Sequence, residues 1–151
     1  MTGRIGRAVP YLCVRGGAAA LDFYRDGFGA VVTVRLTDDE GRIGHSEFMI
    51  GDNRFMLSDE WPQMKVLSPL TVGGNPVSFS INVEDADAMV GRLVAAGARV
   101  ERPVEADEMT GGRSGWVVDP FGHRWNVRSG DEDLNADQLG ERAPGYRVTG
   151  S

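Results

Sequence analysis

The chain has little of what a disulfide, a structural zinc site or a membrane helix requires. It contains one cysteine, Cys13, among 151 residues, which excludes an intramolecular disulfide and a cluster of cysteine ligands for zinc. No apolar run approaches the roughly 18 residues of a membrane span, and none near the amino terminus is long enough for a signal peptide. We therefore expect a cytoplasmic protein with no membrane partner, whose fold rests on its own core.

Positive charge is also scarce. The sequence has 16 Lys and Arg against 22 Asp and Glu, for a formal net charge of −6. Binding to nucleic acid depends on basic surfaces, so we expect no nucleic-acid partner. Residues 129–151 hold five acidic and two basic residues, and thus half of the net charge. The acidity therefore says little about a ligand of the preceding residues.

Glycine, in contrast, is abundant, with 21 residues, about twice its average share. Glycines stand at corresponding points of a sequence pattern that occurs twice. The first copy has a predicted strand over 9–14 and a helix over 18–28, and the second has a strand over 77–83 and a helix over 84–96. A glycine follows each helix, as is common at helix C-termini. Because the two copies are offset by 68 or 69 residues, a duplicated supersecondary unit is the economical explanation.

Three further strands follow each predicted helix, because short apolar runs alternate there with turn residues. Each copy is therefore a βαβββ module, and the sequence predicts an α+β fold. In it, two tandem modules form cupped mixed sheets with the helices on the outer face. The predicted strands are 30–36, 45–50 and 54–58 in the first module and 98–103, 115–119 and 123–127 in the second.

The modules belong to one predicted domain over residues 5–128. The first module covers about 5–58, the second covers 77–128, and a linker rich in proline and glycine covers 59–76. Residues 129–151 are a polar tail. Within it, Asn135 is a suitable N-cap for a short helix over 136–142.

Alternation along the strands separates two faces of each sheet. Leu12 and Val14 belong under a helix, whereas Tyr11 and Cys13 point to the opposite face. In the second module, Trp125 and its apolar neighbours belong to the core, and polar residues face the other way. A curved sheet with such a semi-polar face typically encloses a ligand.

Four segments of the chain resemble the vicinal oxygen chelate superfamily, which holds glyoxalases, extradiol dioxygenases, fosfomycin-resistance enzymes and bleomycin-resistance proteins. They cover most of residues 9–127, and the last is similar to a glyoxalase-like branch with a DPFGH turn. The resemblance implies paired modules around a cupped site, commonly in a homodimer with the sites at or near the subunit contact. The segments are PYLCVRGGAAALDFYRDGFGA, GHSEFMIGDNRFMLSDE, VSFSINVEDADAMVGRLVAAGA and VVDPFGHRW.

The resemblance also implies where a divalent metal would bind. Enzymes of the superfamily have His, Gln or Glu at four positions, which in this chain fall on Val9, Met56, Ser78 and Asn126. None of these residue types is a credible ligand for a hard or borderline divalent ion. We therefore expect no metal and no other cofactor.

The semi-polar faces and the linker supply the candidate ligand-binding residues. Their aromatic and thioether side chains suit a flat apolar ligand, although each could equally be a core or interface residue. Their arginines could contact an anionic or carbonyl group or form salt bridges at a dimer contact. The candidates are Tyr11, Cys13, Glu47, Met49, Arg54, Met56, Trp61, Ser78, Ser80, Asn82, Trp116, Arg124 and Asn126.

Two groups have a chemical alternative. His45 and Glu47 could act as an acid–base pair, or they could form a hydrogen-bonded pair at a strand end. Cys13 could be a nucleophile, but the sequence shows no activating base beside it, which favours a semi-buried apolar role.

Three functions follow from these features. The first is a metal-free binding protein that sequesters a hydrophobic or aromatic natural product, as antibiotic-resistance members of the superfamily do. The second is a glyoxalase-like lyase or isomerase, or a dioxygenase, that uses a divalent metal or the Glu47 and His45 pair. The third is a dimeric domain whose cup is vestigial. The replaced metal positions favour the first.

Overall fold

The computed structural model describes residues 3–150, and within this range the chain forms two four-stranded mixed sheets with helices. The α+β class and the tandem repeated module that the sequence predicts are confirmed. Ser151, the last residue of the predicted tail, lies outside the described residues. The elements are β1 (Tyr11–Val14), α1 (Gly17–Phe28), β2 (Val31–Thr37), β3 (Ile43–Ile50), β4 (Asn53–Asp59), α2 (Pro69–Val72), β5 (Ser78–Asn82), α3 (Ala86–Ala95), β6 (Arg99–Ala106), β7 (Arg113–Val118), β8 (Arg124–Ser129) and α4 (Ala136–Arg142).

The chain divides into two compact units. The first unit ends at Pro76 and includes Pro120–Gly122, and the second contains Val77–Asp119 and the residues from His123 onward. The first sheet has the strand order β1-β4-β3-β2 and the second has β5-β8-β7-β6. In each sheet the first strand pairs in parallel with the last strand of its unit, and the other pairs are antiparallel.

The core of each unit lies on the helix-covered face that strand alternation predicts. In the first unit, Leu12, Val14 and Leu57 are buried, and Tyr24 of α1 stacks on Phe48 of β3 with ring centroids 5.1 Å apart. In the second unit, the buried residues Trp125, Val127 and Val117 lie in the sheet, and Leu93 lies in α3.

The final strand of each unit supplies a side chain that caps the unit's first helix. Helix α1 begins after Gly16, whose φ of 88° is left-handed and which makes no side-chain cap. Instead, one carboxylate oxygen of Asp59 accepts hydrogen bonds from the backbone N–H groups of Gly16 and Gly17, and the other accepts from that of Ile43. In the second unit, the Ser129 hydroxyl accepts a bond from the backbone N–H of Ala86. These bonds satisfy donors that a helix N-terminus leaves unpaired.

The DPFGH turn is a structural element. Asp119 accepts hydrogen bonds from the backbone N–H of His123 at 3.0 Å and from the indole N–H of Trp125 at 3.0 Å. In the first unit, Phe121 packs edge-on against Phe23. The motif therefore fixes the start of β8 and contributes to the core.

The structure differs from the sequence prediction at strand β6 and in the linker. We expected the strand to end at Pro103, but β6 continues to Ala106 because register shifts against β7 accommodate the proline. The linker contains a 3₁₀ turn at Pro62–Met64 and the short helix α2, whose N-cap Ser68 accepts a bond from the backbone N–H of Thr71. None of the described helices is long and apolar enough to cross a membrane.

Candidate functional site

The uncovered face of the first sheet brings together side chains from three strands. Tyr11 of β1 pairs with Met56 of β4, which in turn pairs with Glu47 of β3. His45 lies two residues before Glu47 and therefore on the same face. Strand pairing thus gathers residues that are up to 45 positions apart in the sequence.

Three of these side chains and Arg54 of β4 form a continuous chain of polar contacts, which we call the relay (Tyr11, His45, Glu47 and Arg54). The Tyr11 hydroxyl lies 2.7 Å from Nδ1 of His45, and Nε2 of His45 lies 3.3 Å from Oε1 of Glu47. The same Glu47 oxygen forms an ion pair with Arg54 at 2.5 Å. The predicted pair of His45 and Glu47 is therefore part of a longer arrangement that begins at a tyrosine hydroxyl.

The relay has a definite charge state at its carboxylate end. Hydrogen bonds from Arg54 and then from His45 lower the pKa of Glu47 below its usual value. Glu47 is therefore ionised at neutral pH. An ionised carboxylate accepts hydrogen bonds and donates none, so it fixes the direction of the bond that it shares with His45.

A cavity of about 630 Å³ opens beside the relay, within the first unit. Tyr11 belongs both to the relay and to the wall of this cavity. The wall is largely apolar and combines aromatic, thioether and aliphatic groups with one thiol. Its residues are Tyr11, Cys13, Gly44, Ser58, Trp61, Met64 and Val66.

The thiol in the cavity wall is not set up as a nucleophile. Burial, and then the negative charges of Glu60 and Asp59, raise the pKa of Cys13 to about 11. Because the thiolate is the reactive form of cysteine, the Cys13 side chain is a neutral, weakly polar group at neutral pH. It therefore adds to the apolar character of the wall.

The uncovered face of the second sheet carries two further groups of polar contacts. Arg124 lies over the ring of Trp116 at 4.7 Å and forms an ion pair with Glu101 at 2.5 Å. It also donates a hydrogen bond to the hydroxyl of Ser78. The hydrogen bond from Arg124 lowers the pKa of Glu101.

Asn126 is the centre of a second group of contacts on that face. Its side chain is 4% exposed. The carbonyl oxygen accepts hydrogen bonds from Ser80 and Arg128, and the amide donates to Ser114 and to the backbone of Gly115. Its hydrogen-bonding capacity is therefore used within the protein.

Arg128 connects this group to the start of the tail. Its guanidinium forms ion pairs with Asp107 at 2.6 Å and Asp131 at 2.8 Å, and it donates a hydrogen bond to Thr110. The hydrogen bond from Arg128 lowers the pKa of Asp131. These contacts of Arg128 hold Asp107 and Thr110, which follow β6, and Asp131, which follows β8, against strand β8.

The residues at the four implied metal positions do not fit a divalent ion. Val9 offers no donor atom, and Met56 offers a thioether, which suits soft ions. Ser78 and Asn126 offer neutral oxygens that are bonded to neighbouring side chains. Within residues 3–150, no group of three or more His, Cys, Asp or Glu side chains is placed to hold a metal ion.

The structure separates the candidate residues of the first module and the linker into three groups. Tyr11, Cys13 and Trp61 line the cavity beside the relay. Met49 and Arg54 line a different cavity, of about 820 Å³, which also includes Val9. Glu47 and Met56 lie on the face between these lining residues, in the row that Tyr11 begins.

In the second module, strand pairing brings five of the six candidates together. Ser78 pairs with Arg124, Ser80 pairs with Asn126, and Asn126 pairs with Trp116. Asn82 pairs with Arg128 at the end of the strand and is exposed.

Sequence reasoning missed part of the cavity and one role. Ser58 and Val66 belong to the wall, and strand alternation beyond Met56 could have identified Ser58. Tyr11 was proposed for its ring alone. Its hydroxyl contacts a histidine 34 residues away, and a contact of that kind has no local sequence signal.

Comparison with known proteins identifies the family of this chain. The model of the Glyoxalase/Bleomycin resistance protein/Dioxygenase superfamily matches residues 4–127. An uncharacterised protein of Mycobacterium bovis is 38% identical over 133 residues, which are 86% of this chain and 87% of that protein. An uncharacterised protein of Arabidopsis thaliana is 30% identical over 113 residues, 70% of this chain and 67% of that protein.

Solved structures show the same fold. Protein PA1353 from Pseudomonas aeruginosa has a TM-score of 0.66 at 25% identity, covering 85% of this chain and all (100%) of that one. A fosfomycin resistance protein from Listeria monocytogenes has a TM-score of 0.64 at 14% identity, and the match covers 90% of this chain and 98% of that one. With a family model that matches residues 4–127, the chain belongs to the Glyoxalase/Bleomycin resistance protein/Dioxygenase superfamily.

Proposed function

We propose that this chain is a cytoplasmic small-molecule binding protein that sequesters a flat aromatic or hydrophobic natural product without a metal ion, in the manner of an antibiotic-resistance protein. The observation that carries the proposal is the cavity of the first unit, where Tyr11, Trp61, Met64 and Val66 form an apolar wall. The superfamily name covers resistance proteins as well as enzymes, and the proposal selects the first group.

The size and chemistry of the cavity support this choice. Its volume of about 630 Å³ lies within the range of roughly 300–1,000 Å³ that is typical of small-molecule sites. Aromatic rings favour stacking with flat ligands, and thioethers adapt to irregular apolar shapes. The donor-poor residues at the implied metal positions support binding that needs no metal.

We also propose that the working form is a homodimer. Strand β2 lies at the edge of the first sheet, and its side chains Val31 and Leu36 are 63% and 59% exposed. An apolar edge strand of this kind is a typical site for pairing with another chain, and a second copy of this chain is the partner that we propose. Light scattering coupled to size exclusion should give twice the 16.3 kDa mass of the chain, and a monomer at micromolar concentration would contradict it.

The binding function can be tested with two ligands of the same carbon skeleton. 2-Naphthol is flat and aromatic, whereas decahydro-2-naphthol has the same skeleton and hydroxyl group but a puckered, saturated ring system. We expect calorimetry to show one 2-naphthol per chain, and binding of the saturated compound about tenfold weaker. Protein purified without chelator should contain no stoichiometric zinc, nickel, manganese or iron. Failure of 2-naphthol to bind, or loss of binding when metal is removed, would overturn the proposal.

Two variants locate the ligand. Trp61→Ala should weaken 2-naphthol binding about tenfold, because it removes the largest ring of the wall. Met64→Ser should weaken it less, and this residue is 71% exposed, so the change should leave folding intact. Trp116→Ala, on the face of the second sheet, is the matched control and should leave 2-naphthol affinity unchanged within about twofold.

The relay favours one second candidate, an enzyme that uses His45 and Glu47 for acid–base chemistry. Mass spectrometry of the ligand after prolonged incubation separates the two functions. A binding protein returns the ligand unchanged. An enzyme returns a product, and its rate should fall at least about a hundredfold in His45→Gln.

A further inference from the structure

The relay determines the direction of the hydrogen bond between the Tyr11 hydroxyl and His45, and thereby the kind of group that a ligand can offer to Tyr11. Glu47 is an ionised carboxylate and can only accept a hydrogen bond, so Nε2 of His45 carries the proton of the bond between them. In a neutral imidazole the other nitrogen is then an acceptor. In this neutral form, Nδ1 of His45 accepts the bond from the Tyr11 hydroxyl, which lies 2.7 Å away.

This direction leaves the Tyr11 oxygen as an acceptor. A phenol has one proton to donate, and in Tyr11 that proton is directed at His45. The lone pairs of the oxygen stay available to a further donor. Tyr11 is 53% exposed and is the one relay residue among those that line the apolar cavity.

The corresponding position of the second sheet carries a serine hydroxyl, which has no aromatic ring and does not line this cavity. Tyr11 pairs with Met56 as Ser80 pairs with Asn126, so Ser80 is the equivalent residue. The Ser80 hydroxyl donates to Asn126, whose remaining capacity is taken by Arg128, Ser114 and Gly115. An acceptor oxygen on an aromatic ring in the wall of this apolar cavity is therefore a property of the first unit.

We propose that the cavity of the first unit selects aromatic ligands that carry a hydrogen-bond donor, namely a ring hydroxyl or ring N–H, and that Tyr11 is the residue that recognises this donor. This inference rests on the proposed binding function and adds the chemical class of the ligand. An aromatic ligand whose only polar group is an acceptor cannot satisfy the Tyr11 oxygen, and its own acceptor finds no proton there. Discrimination between the two classes follows from the fixed polarity of the relay.

A pair of matched ligands tests the proposal. 2-Naphthol and 2-methoxynaphthalene share the flat ring system and the position of the oxygen, but only the first has a donor. At pH 8 we expect calorimetry to give 2-naphthol about a tenfold lower Kd, the usual value of one well-placed hydrogen bond. Equal affinity of the two compounds, or a preference for the methoxy compound, would overturn the proposal.

Three variants assign the preference to the relay. Tyr11→Phe keeps the ring in the cavity wall and removes the oxygen, so it should bind both ligands with equal affinity. Glu47→Gln should reduce the preference, because an amide no longer fixes the direction of the bond to His45. Tyr146→Phe is the matched control on a residue that is 78% exposed in the second unit, and it should retain the full preference. A Tyr11→Phe protein that retains the preference would contradict the assignment.

The two proposals fail in different ways. If neither naphthalene compound binds, the binding function itself is wrong. If both bind with equal affinity and Trp61→Ala weakens both, the cavity binds aromatic ligands and the selection by Tyr11 is wrong.

Discussion

The two sheets have equivalent strand orders and the same pattern of pairing, yet the polar contacts on their uncovered faces differ. Glu47 of the first sheet and Trp116 of the second occupy equivalent positions. Glu47 pairs with Met56 of β4, and Trp116 pairs with Asn126 of β8. Arg54 forms an ion pair with Glu47, whereas Arg124 lies over the ring of Trp116 and binds Glu101. One repeated backbone therefore carries a charged relay in one copy and a cation–π contact in the other.

This difference shows how duplication can separate stability from function. In the second sheet, Asn126 and Arg128 bond to groups of their own unit, so the polar atoms of that face are engaged in holding the fold. In the first sheet, the relay ends at a half-exposed tyrosine beside an apolar cavity. We therefore expect changes on the second face to alter stability and changes on the first to alter binding.

The largest expected effect comes from exchanging the central residue of each face for leucine. Asn126→Leu leaves the buried partners of Asn126 without their bonds and should cost about 3 kcal/mol of unfolding free energy. Met56→Leu, at the equivalent position of the first sheet, conserves size and polarity and should cost less than about 1 kcal/mol. Urea unfolding measures both. Equal losses would show that the two faces contribute alike to stability.

The second prediction concerns the reactivity of the thiol in the first sheet. With a pKa of about 11 against an ordinary 9.0, Cys13 should react with iodoacetamide at pH 8 about a hundredfold more slowly than an unperturbed cysteine. The comparison is a Cys13→Ser protein that carries Asn82→Cys, because Asn82 is the exposed residue at the equivalent position of the second sheet. Similar rates for the two thiols would mean that the cavity wall is more polar than described.

The third prediction concerns the helix caps. Asp59 accepts three backbone hydrogen bonds, and Ser129 accepts one. Asp59→Ala should therefore lower the unfolding free energy by about 2 kcal/mol, and Ser129→Ala by about 1 kcal/mol or less. The solvent-exposed Asp22→Ala is the control for loss of a carboxylate. A larger loss in Ser129→Ala than in Asp59→Ala would contradict the assignment of the caps.

The smallest expected effect is on the titration of Glu47. Its pKa is lowered in the folded protein, so it contributes stability above the usual pKa of a glutamate, and this contribution is lost as the pH falls through the folded value. Removal of the main cause in Arg54→Ala should raise the pKa of Glu47, as followed by carbon NMR of its carboxyl group. Arg124→Ala should leave the pKa of Glu47 unchanged and raise that of Glu101 instead. An unchanged pKa of Glu47 in the Arg54→Ala protein would show that the ion pair with Arg54 does not stabilise the ionised carboxylate.

Much of the fold follows from local patterns in the sequence. Strand alternation assigned Leu12, Val14 and Trp125 to the core, because a face that packs against a helix must be apolar at every second residue. The repeat also holds at single residues, because strand pairing gives Trp116 in the second sheet the position that Glu47 has in the first. The extension of β6 past Pro103 was not predictable, because it depends on register shifts against β7.

The candidate site was less predictable than the fold. Alternation identified the face of Tyr11, Glu47 and Met56, but it could not divide Met49 from Trp61, which line different cavities. The bond between Tyr11 and His45 joins two strands that are not adjacent in the sheet. Such contacts depend on side-chain length and sheet curvature, which a one-dimensional pattern does not contain.

The central claim is that the first unit binds the ligand and the second does not, and an NMR titration with 2-naphthol tests it most directly. We predict saturable shifts of the backbone amide signals of Cys13, Gly44 and Val66, which line the cavity. The signals of Ser80, Gly115 and Asn126 on the second sheet should stay unchanged. Shifts confined to the second group, or no saturable shift in the first, would contradict the account.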